Sequence, residues 1–243
     1  MGTTGADFES PKSCYCKRTR RAAAPVYAFA HVTRTFPEVD QLAHMLRNDP
    51  PGDGQLIARS NQGVIHRTRC AGRVLAVKRA VGRGPLGAAN RLALRREYRA
   101  YRRLAGVAGV PRCHRLVDDR WLVLDFIDAT PFRDATTDDS FFFRLLATLR
   151  AMHDRGVAHG DLKRKANLMV DAGGGPVLID FGAAVIRRPG RHPLNRRLFE
   201  FMRQTDLNAW VKLKYGGYDD VADEDRALLK RSWVERGLGR LRS

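Results

Sequence analysis

The sequence predicts an α+β fold, a small and mostly β region followed by a mostly helical one. Short apolar stretches separated by glycine-containing turns cluster between residues 55 and 127. Two long segments with helical spacing, 88–104 and 138–155, interrupt and follow them. Hydrophobic residues make up 44% of the 243, enough for a proper core and against global disorder.

Residues 1–25 are rich in Gly, Thr, Ser and Arg and contain Lys17-Arg18-Thr19-Arg20-Arg21, which reads as a flexible basic tail. Phe36, Val39, Leu42 and Met45 give 36–47 the rhythm of a short helix, and Asn48-Asp49-Pro50-Pro51-Gly52 breaks it. Segments 56–60, 64–68 and 73–79 read as strands. A helix over 88–104 carries Leu92, Tyr98, Tyr101 and Leu104 on or near one face. Two more strands, 115–117 and 120–127, are joined by Asp118-Asp119. The helix at 138–155 opens on Asp138-Asp139-Ser140 and closes at Gly156. Segments 168–170 and 177–179 flank Asp171-Ala172-Gly173-Gly174-Gly175-Pro176, a hairpin turn by composition. The remainder, 193–243, is expected to be helical and is rich in Arg. The expected division is a tail (1–25), a region with a five-stranded sheet and one inserted helix (26–127), and a helical region (128–243).

With 44 basic against 26 acidic residues the chain carries +18. Such a surplus suits an anionic surface or nucleic acid. Eight of the 44 are lysine and the rest arginine, a bias that a GC-rich genome also produces. The four cysteines, Cys14, Cys16, Cys70 and Cys113, have neither zinc-site spacing nor clustered histidines, which points to a reducing compartment. The apolar runs are strand-sized, so no transmembrane segment is expected. The expected location is cytoplasmic, with peripheral attachment to a membrane surface as the variant.

Three clusters carry chemistry. Val74-Leu75-Ala76-Val77-Lys78 is an alternating strand ending in a lysine, which must find an anion or solvent because unpaired burial is costly. Glu97 is a lone acid in an arginine-loaded helix. Taken alone, the two also suit a strand end and an ordinary surface acid. His159-Gly160-Asp161-Leu162-Lys163 with Asn167 forms the second cluster, and Leu178-Ile179-Asp180-Phe181-Gly182 the third. The hairpin between them brings Asn167 and Asp180 side by side. An amide oxygen beside a carboxylate, without His or Cys, favours Mg²⁺ over Zn²⁺.

Valine-lysine, a helical glutamate, His-Gly-Asp-Leu-Lys with an asparagine, then Asp-Phe-Gly is an ordered set that resembles the protein-kinase-like superfamily over roughly residues 55–190. The resemblance implies a bilobal protein-kinase-like fold with a small β-rich N-lobe and a truncated α-helical C-lobe. It also implies an ATP-dependent kinase using Mg²⁺ and phosphorylating a hydroxyl-bearing acceptor. By it, Lys78 would hold the α- and β-phosphates and pair with Glu97, and Asp161 would orient or deprotonate the acceptor. Asn167 and Asp180 would hold Mg²⁺, and Lys163 would neutralise the transferred phosphoryl group. Ser60, Gly63, Ala76, Asp125, Ile127 and Met169 would complete the nucleotide site, with Leu124 as gatekeeper. His159, Phe181 and Tyr101 would stack as a spine.

The phosphate loop departs from the family's pattern, since Ala58, Ser60 and Gly63 stand where three glycines are usual. Asn167 comes one residue late, which implies a bulge at 164–166. No Ala-Pro-Glu follows Asp180, and 61 residues follow Gly182, too few for the usual activation segment and peptide-docking helices. Asp206 is expected to cap its helix or brace the loop around Asp161. The shortened second lobe resembles lipopolysaccharide (Kdo and heptose) kinases and RIO-type serine/threonine kinases, and Lys163 favours the serine/threonine side. The alternatives are a lipopolysaccharide-sugar or other small-molecule kinase, and a non-catalytic ATP-binding scaffold docking on an anionic partner.

Overall fold

Strand alternation and two tight turns build the first sheet. The computed structural model describes residues 37–48, 56–59 and 63–230; the predicted basic tail and Ser60 lie outside the described residues. Strands β1 (Leu56–Arg59), β2 (Gly63–Cys70), β3 (Arg73–Ala80), β4 (Cys113–Val117) and β5 (Trp121–Asp125) form an antiparallel sheet in the order β1-β2-β3-β5-β4. Ala71-Gly72 joins β2 to β3 and Asp118-Asp119 joins β4 to β5. All four residues have positive φ. Two-residue hairpins need that backbone because its twist matches the strands.

Alternation gives the sheet two unlike faces. On one face Leu75, Val77, Val117, Trp121 and Val123 pack with Leu42, Ala43 and Leu46 of α1 (Pro37–Asn48). Arg47 clamps this helix to the β4–β5 turn through two bonds to Asp118, 2.7 and 2.8 Å. The other face contributes Leu122 and Leu124 to a larger core shared with α2 (Gly84–Arg103), α3 (Asp139–Asp154) and α4 (Pro193–Tyr215).

Helix α2 begins four residues before the expected start. Pro85 sits in its first turn, where a missing N–H costs nothing. The stripe it buries is Gly87, Asn90, Leu94, Glu97 and Tyr101. Leu92, expected on that face, is 55% exposed, because two residues from Leu94 is roughly 200° round a helix. Helix α3 starts as expected, with Asp138 accepting from the Phe141 N–H at 3.0 Å, and ends before Gly156 at φ 70°. The Trp210 Nε1–H donates to the Phe142 carbonyl at 2.9 Å and locks α4 to α3.

Short strands complete the α+β architecture. The expected hairpin forms as β8 (Leu168–Asp171) and β9 (Pro176–Leu178), with β6 (Ala129–Pro131) added outside β8. A further pair, β7 (Val157–Ala158) with β10 (Val185–Ile186), was not expected. The expectation of helix throughout 193–243 is corrected. Helix α4 stops at Tyr215 before Gly216, whose φ of 71° suits a helix end, and up to residue 230 only α5 (Asp223–Arg226) follows. No described helix is long and apolar enough to cross a membrane.

Candidate active site

Because β3 alternates, Val77 is buried against α1 while Ala76 and Lys78 turn to the face shared with α2. There Glu97 occupies a core position of the α2 stripe. Lys78 Nζ donates to Glu97 Oε2 at 2.7 Å and to Asp180 Oδ1 at 3.0 Å. Lys78 is 9% and Glu97 2% exposed. An ammonium buried this deeply without partners would be lost to neutralisation. Burial does oppose its charge, but Glu97 and Asp180 overcome it and hold the Lys78 pKa above the ordinary lysine value. Complete burial pushes the Glu97 carboxyl above its ordinary value against the pull of Lys78. Burial would also lift Asp180, yet Lys78 and the Gly182 N–H keep it below the ordinary aspartate value.

The segment after β7 is held from beneath. Asp206, in the inner stripe of α4 and 0% exposed, accepts from the His159 N–H at 2.8 Å, the Gly160 N–H at 2.9 Å and His153 Nε2 at 3.0 Å. Of the two roles expected for Asp206, bracing this loop is the one it performs. His159 Nε2 donates to the Ile179 carbonyl at 3.0 Å while Nδ1 accepts from the Asp161 N–H at 3.3 Å, which fixes the tautomer. The Phe181 ring lies 4.8 Å from both the Tyr101 and the His159 rings, so the expected stack is formed.

Asn167 Nδ2 donates to the Asp161 carbonyl at 3.0 Å, which leaves its amide oxygen to act as an acceptor. The extra residue before it is taken up by a single 3₁₀ turn, Lys165–Asn167, where a bulge was expected. The Ile179 N–H donates to the Asn167 carbonyl at 3.0 Å, so Asn167 and Asp180 leave neighbouring strands at one level. Asp180 itself has φ 62° and ψ 73°, a left-handed backbone that is uncommon outside glycine and recurs at functional sites.

The remaining predicted residues are more dispersed. Gly63 faces β3 so closely that an added Cβ would sit 2.8 Å from the Arg79 carbonyl oxygen, a packing reason for glycine independent of any ligand. Strand register sets Ala76 opposite Leu124, beside Asp125. The Asp125 carboxylate accepts from His114 Nε2 at 2.6 Å, and its N–H donates to the Arg112 carbonyl. Ile127 is half-buried just beyond β5, and Met169 lies half-buried on β8, in a different sheet. Lys163 is exposed in the turn after Asp161.

Two functional neighbours escaped the sequence reading. Arg164 ion-pairs with Asp161 at 3.3 Å; a basic residue three positions on is an available signal. His114 engages Asp125 across β4 and β5, a register effect that no local motif announces.

Among the described residues no group of three or more His, Cys, Asp or Glu gathers to enclose a metal. Asp180 and Asn167 instead offer one carboxylate and one amide oxygen. That partial donor set fits Mg²⁺, which keeps waters or substrate phosphates in its shell. A scan against protein-family models finds no match, and a search of curated proteins finds no significant match.

Proposed function

We propose that this chain is an ATP-dependent kinase of bilobal, protein-kinase-like build that transfers the γ-phosphoryl group to a hydroxyl acceptor, most similar in its active-site residues to serine/threonine protein kinases. The observation that carries this reading is the double contact of Lys78, 2.7 Å from Glu97 and 3.0 Å from Asp180. It joins β3, α2 and the turn after β9 around one cation.

Phosphoryl transfer demands positioning and charge neutralisation more than covalent chemistry from the protein. In this reading Lys78 meets the nucleotide's α- and β-phosphates, while Glu97 keeps the amine aimed from a buried position. Asp180 and the Asn167 amide oxygen would hold Mg²⁺, which supplies charge neutralisation between the β- and γ-phosphates. Asp161, steadied by Asn167 and Arg164, orients the acceptor hydroxyl and takes its proton as the new P–O bond forms and ADP leaves. Lys163 offsets charge on the transferred group. Ala76, the Asp125 carbonyl and Ile127 border the adenine side, and Met169 closes it from β8.

The acceptor is a protein side chain or an anionic sugar-lipid. The +18 charge supports an acidic or membrane-borne acceptor over a cationic small molecule. Radiolabelled ATP turnover, autophosphorylation included, tests the reading. Asp161→Ala and Asp180→Ala should each lower it by on the order of a hundredfold or more. Equal turnover in wild type and both variants would reject it and leave the non-catalytic scaffold.

A further inference from the structure

A hollow lies where β3 turns into α2. It has a volume of about 620 Å³ and draws arginines from four pieces of the chain: Arg79 on β3, Arg83 in the connection, Arg91 on α2 and Arg120 at the end of the β4–β5 turn. Arg79 lies over the buried Trp121 ring, 5.4 Å from its centroid. Among the described residues none of the four makes an ion pair with a carboxylate. Asp118 and Asp119 feel the charges of Arg120 and Arg91 but accept their hydrogen bonds from other arginines, Asp118 from Arg47 and Asp119 from Arg95.

The hollow is built, not incidental. Asn90 of α2 donates to the Val81 carbonyl at 2.9 Å, and the Ala80 N–H donates to the Arg120 carbonyl at 2.9 Å. Gly82 at φ 99° and Gly84 at φ 58° let the connection double back. A Cβ on Gly87 would stand 2.4 Å from the Gly82 carbonyl oxygen, so loop and helix fit only with glycine there. The first turn of α2 contains no acidic residue and has no side-chain cap, so its backbone adds positive potential to that of the arginines.

We propose that this hollow binds a small polyphosphate anion, and that the bound anion holds α2 where Glu97 meets Lys78. Guanidinium groups grip phosphate oxygens through paired N–H bonds, and two or more phosphoryl groups would engage arginines from both sheet and helix. Convergence on one concavity, not alignment along a ridge, favours a compact ligand over a nucleic-acid strand. Arg79 directly follows Lys78, and Arg91 shares α2 with Glu97. Without an anion, like charges oppose docking of the helix start on the sheet; with one bound, the same charges clamp it. The coupling to Glu97 rests on the kinase reading, whereas the anion site does not.

The test uses the full chain and inositol hexakisphosphate as probe, by titration calorimetry at about 0.15 M salt, where surface attraction is largely screened. Wild type should bind one equivalent, and Arg83→Gln/Arg91→Gln should weaken binding about tenfold or more. Arg196→Gln/Arg197→Gln, which removes the same charge from exposed positions of α4, should leave it within about twofold, and Lys78→Met, which breaks the pair coupled to the site, should weaken it less than Arg83→Gln/Arg91→Gln does. Equal weakening by both arginine pairs, loss of binding in Lys78→Met alone, or displacement by an RNA homopolymer at lower concentration overturns the site. A non-hydrolysable ATP analogue should then bind wild type about fivefold tighter with the probe present, and Arg83→Gln/Arg91→Gln no tighter. Analogue binding that ignores the probe overturns the coupling while the kinase reading stands. An analogue that binds no variant overturns the kinase reading and the coupling and leaves the anion site standing.

Discussion

Lys78 and Arg79 are neighbours on β3 with opposite surroundings. Lys78 is buried and meets two carboxylates; Arg79 is exposed over a tryptophan face, and among the described residues no carboxylate forms an ion pair with it. Alternation sends one to each side of the strand, and everything else follows from what waits there. A matched buried cation fixes geometry, because any movement leaves a charge unpaired. An unmatched cluster stores repulsion that an anion from outside can relieve. The net charge of the chain does not distinguish the two, since both count equally in it.

The contrast between matched and unmatched groups can be broken most forcefully at Asp206. Asp206→Ala strips the acceptor from two backbone N–H groups and His153 in a buried place, and should cost about 3–5 kcal/mol of stability by urea unfolding. A loss below about 1 kcal/mol by the same measurement would mean that the loop around Asp161 does not depend on it.

His66 is the converse. It is 3% exposed, and among the described residues neither ring nitrogen has a hydrogen-bond partner. His66→Leu should leave stability unchanged or raise it by about 1 kcal/mol, because an unsatisfied polar group is removed from an apolar setting. A clear loss of stability would reveal a partner for the ring.

The acid limb of the stability profile sharpens the Lys78 side of the comparison. The folded-state pKa of Asp180 lies below its unfolded value, so its contribution is present above the ordinary aspartate pKa and fades as pH falls through the lowered one. The stability advantage of wild type over Asp180→Asn should therefore shrink as pH drops below about 4. An advantage that persists unchanged into stronger acid would contradict the pairing. The smallest effect concerns Cys113, whose thiol is pushed up to about 12 by burial, Arg102 pulling the other way. In the folded protein it should alkylate far more slowly at about pH 8 than in urea, and equal rates would mean that β4 opens readily.

Local pattern carried much of this into view. Lys78 lies near the end of an alternating strand, and Asp161, Asn167 and Asp180 sit close to short strands and glycine turns, so period and punctuation locate them. Glu97 was legible as a lone acid, although its core position in the α2 stripe is the stronger signal. The start of α2 was hidden by Gly84 and Gly87, which lower helix propensity; Gly87 is required by close packing against Gly82, and Gly84 suits a positive φ. The short pairs β7–β10 and β6–β8 are too brief for periodicity and exist only because tertiary packing aligns them. The four-arginine hollow was illegible for a different reason. Its members come from a strand, a loop, a helix and a turn, and no sequence window contains them all.

Calorimetric titration of ATP with and without Mg²⁺ tests most directly whether Lys78, Glu97, Asn167 and Asp180 act as one nucleotide site. Wild type should bind more tightly with Mg²⁺, Lys78→Met should lose about tenfold or more in affinity, and Asp180→Asn should lose the Mg²⁺ dependence. ATP binding that neither substitution changes, or no binding at all, would contradict the account.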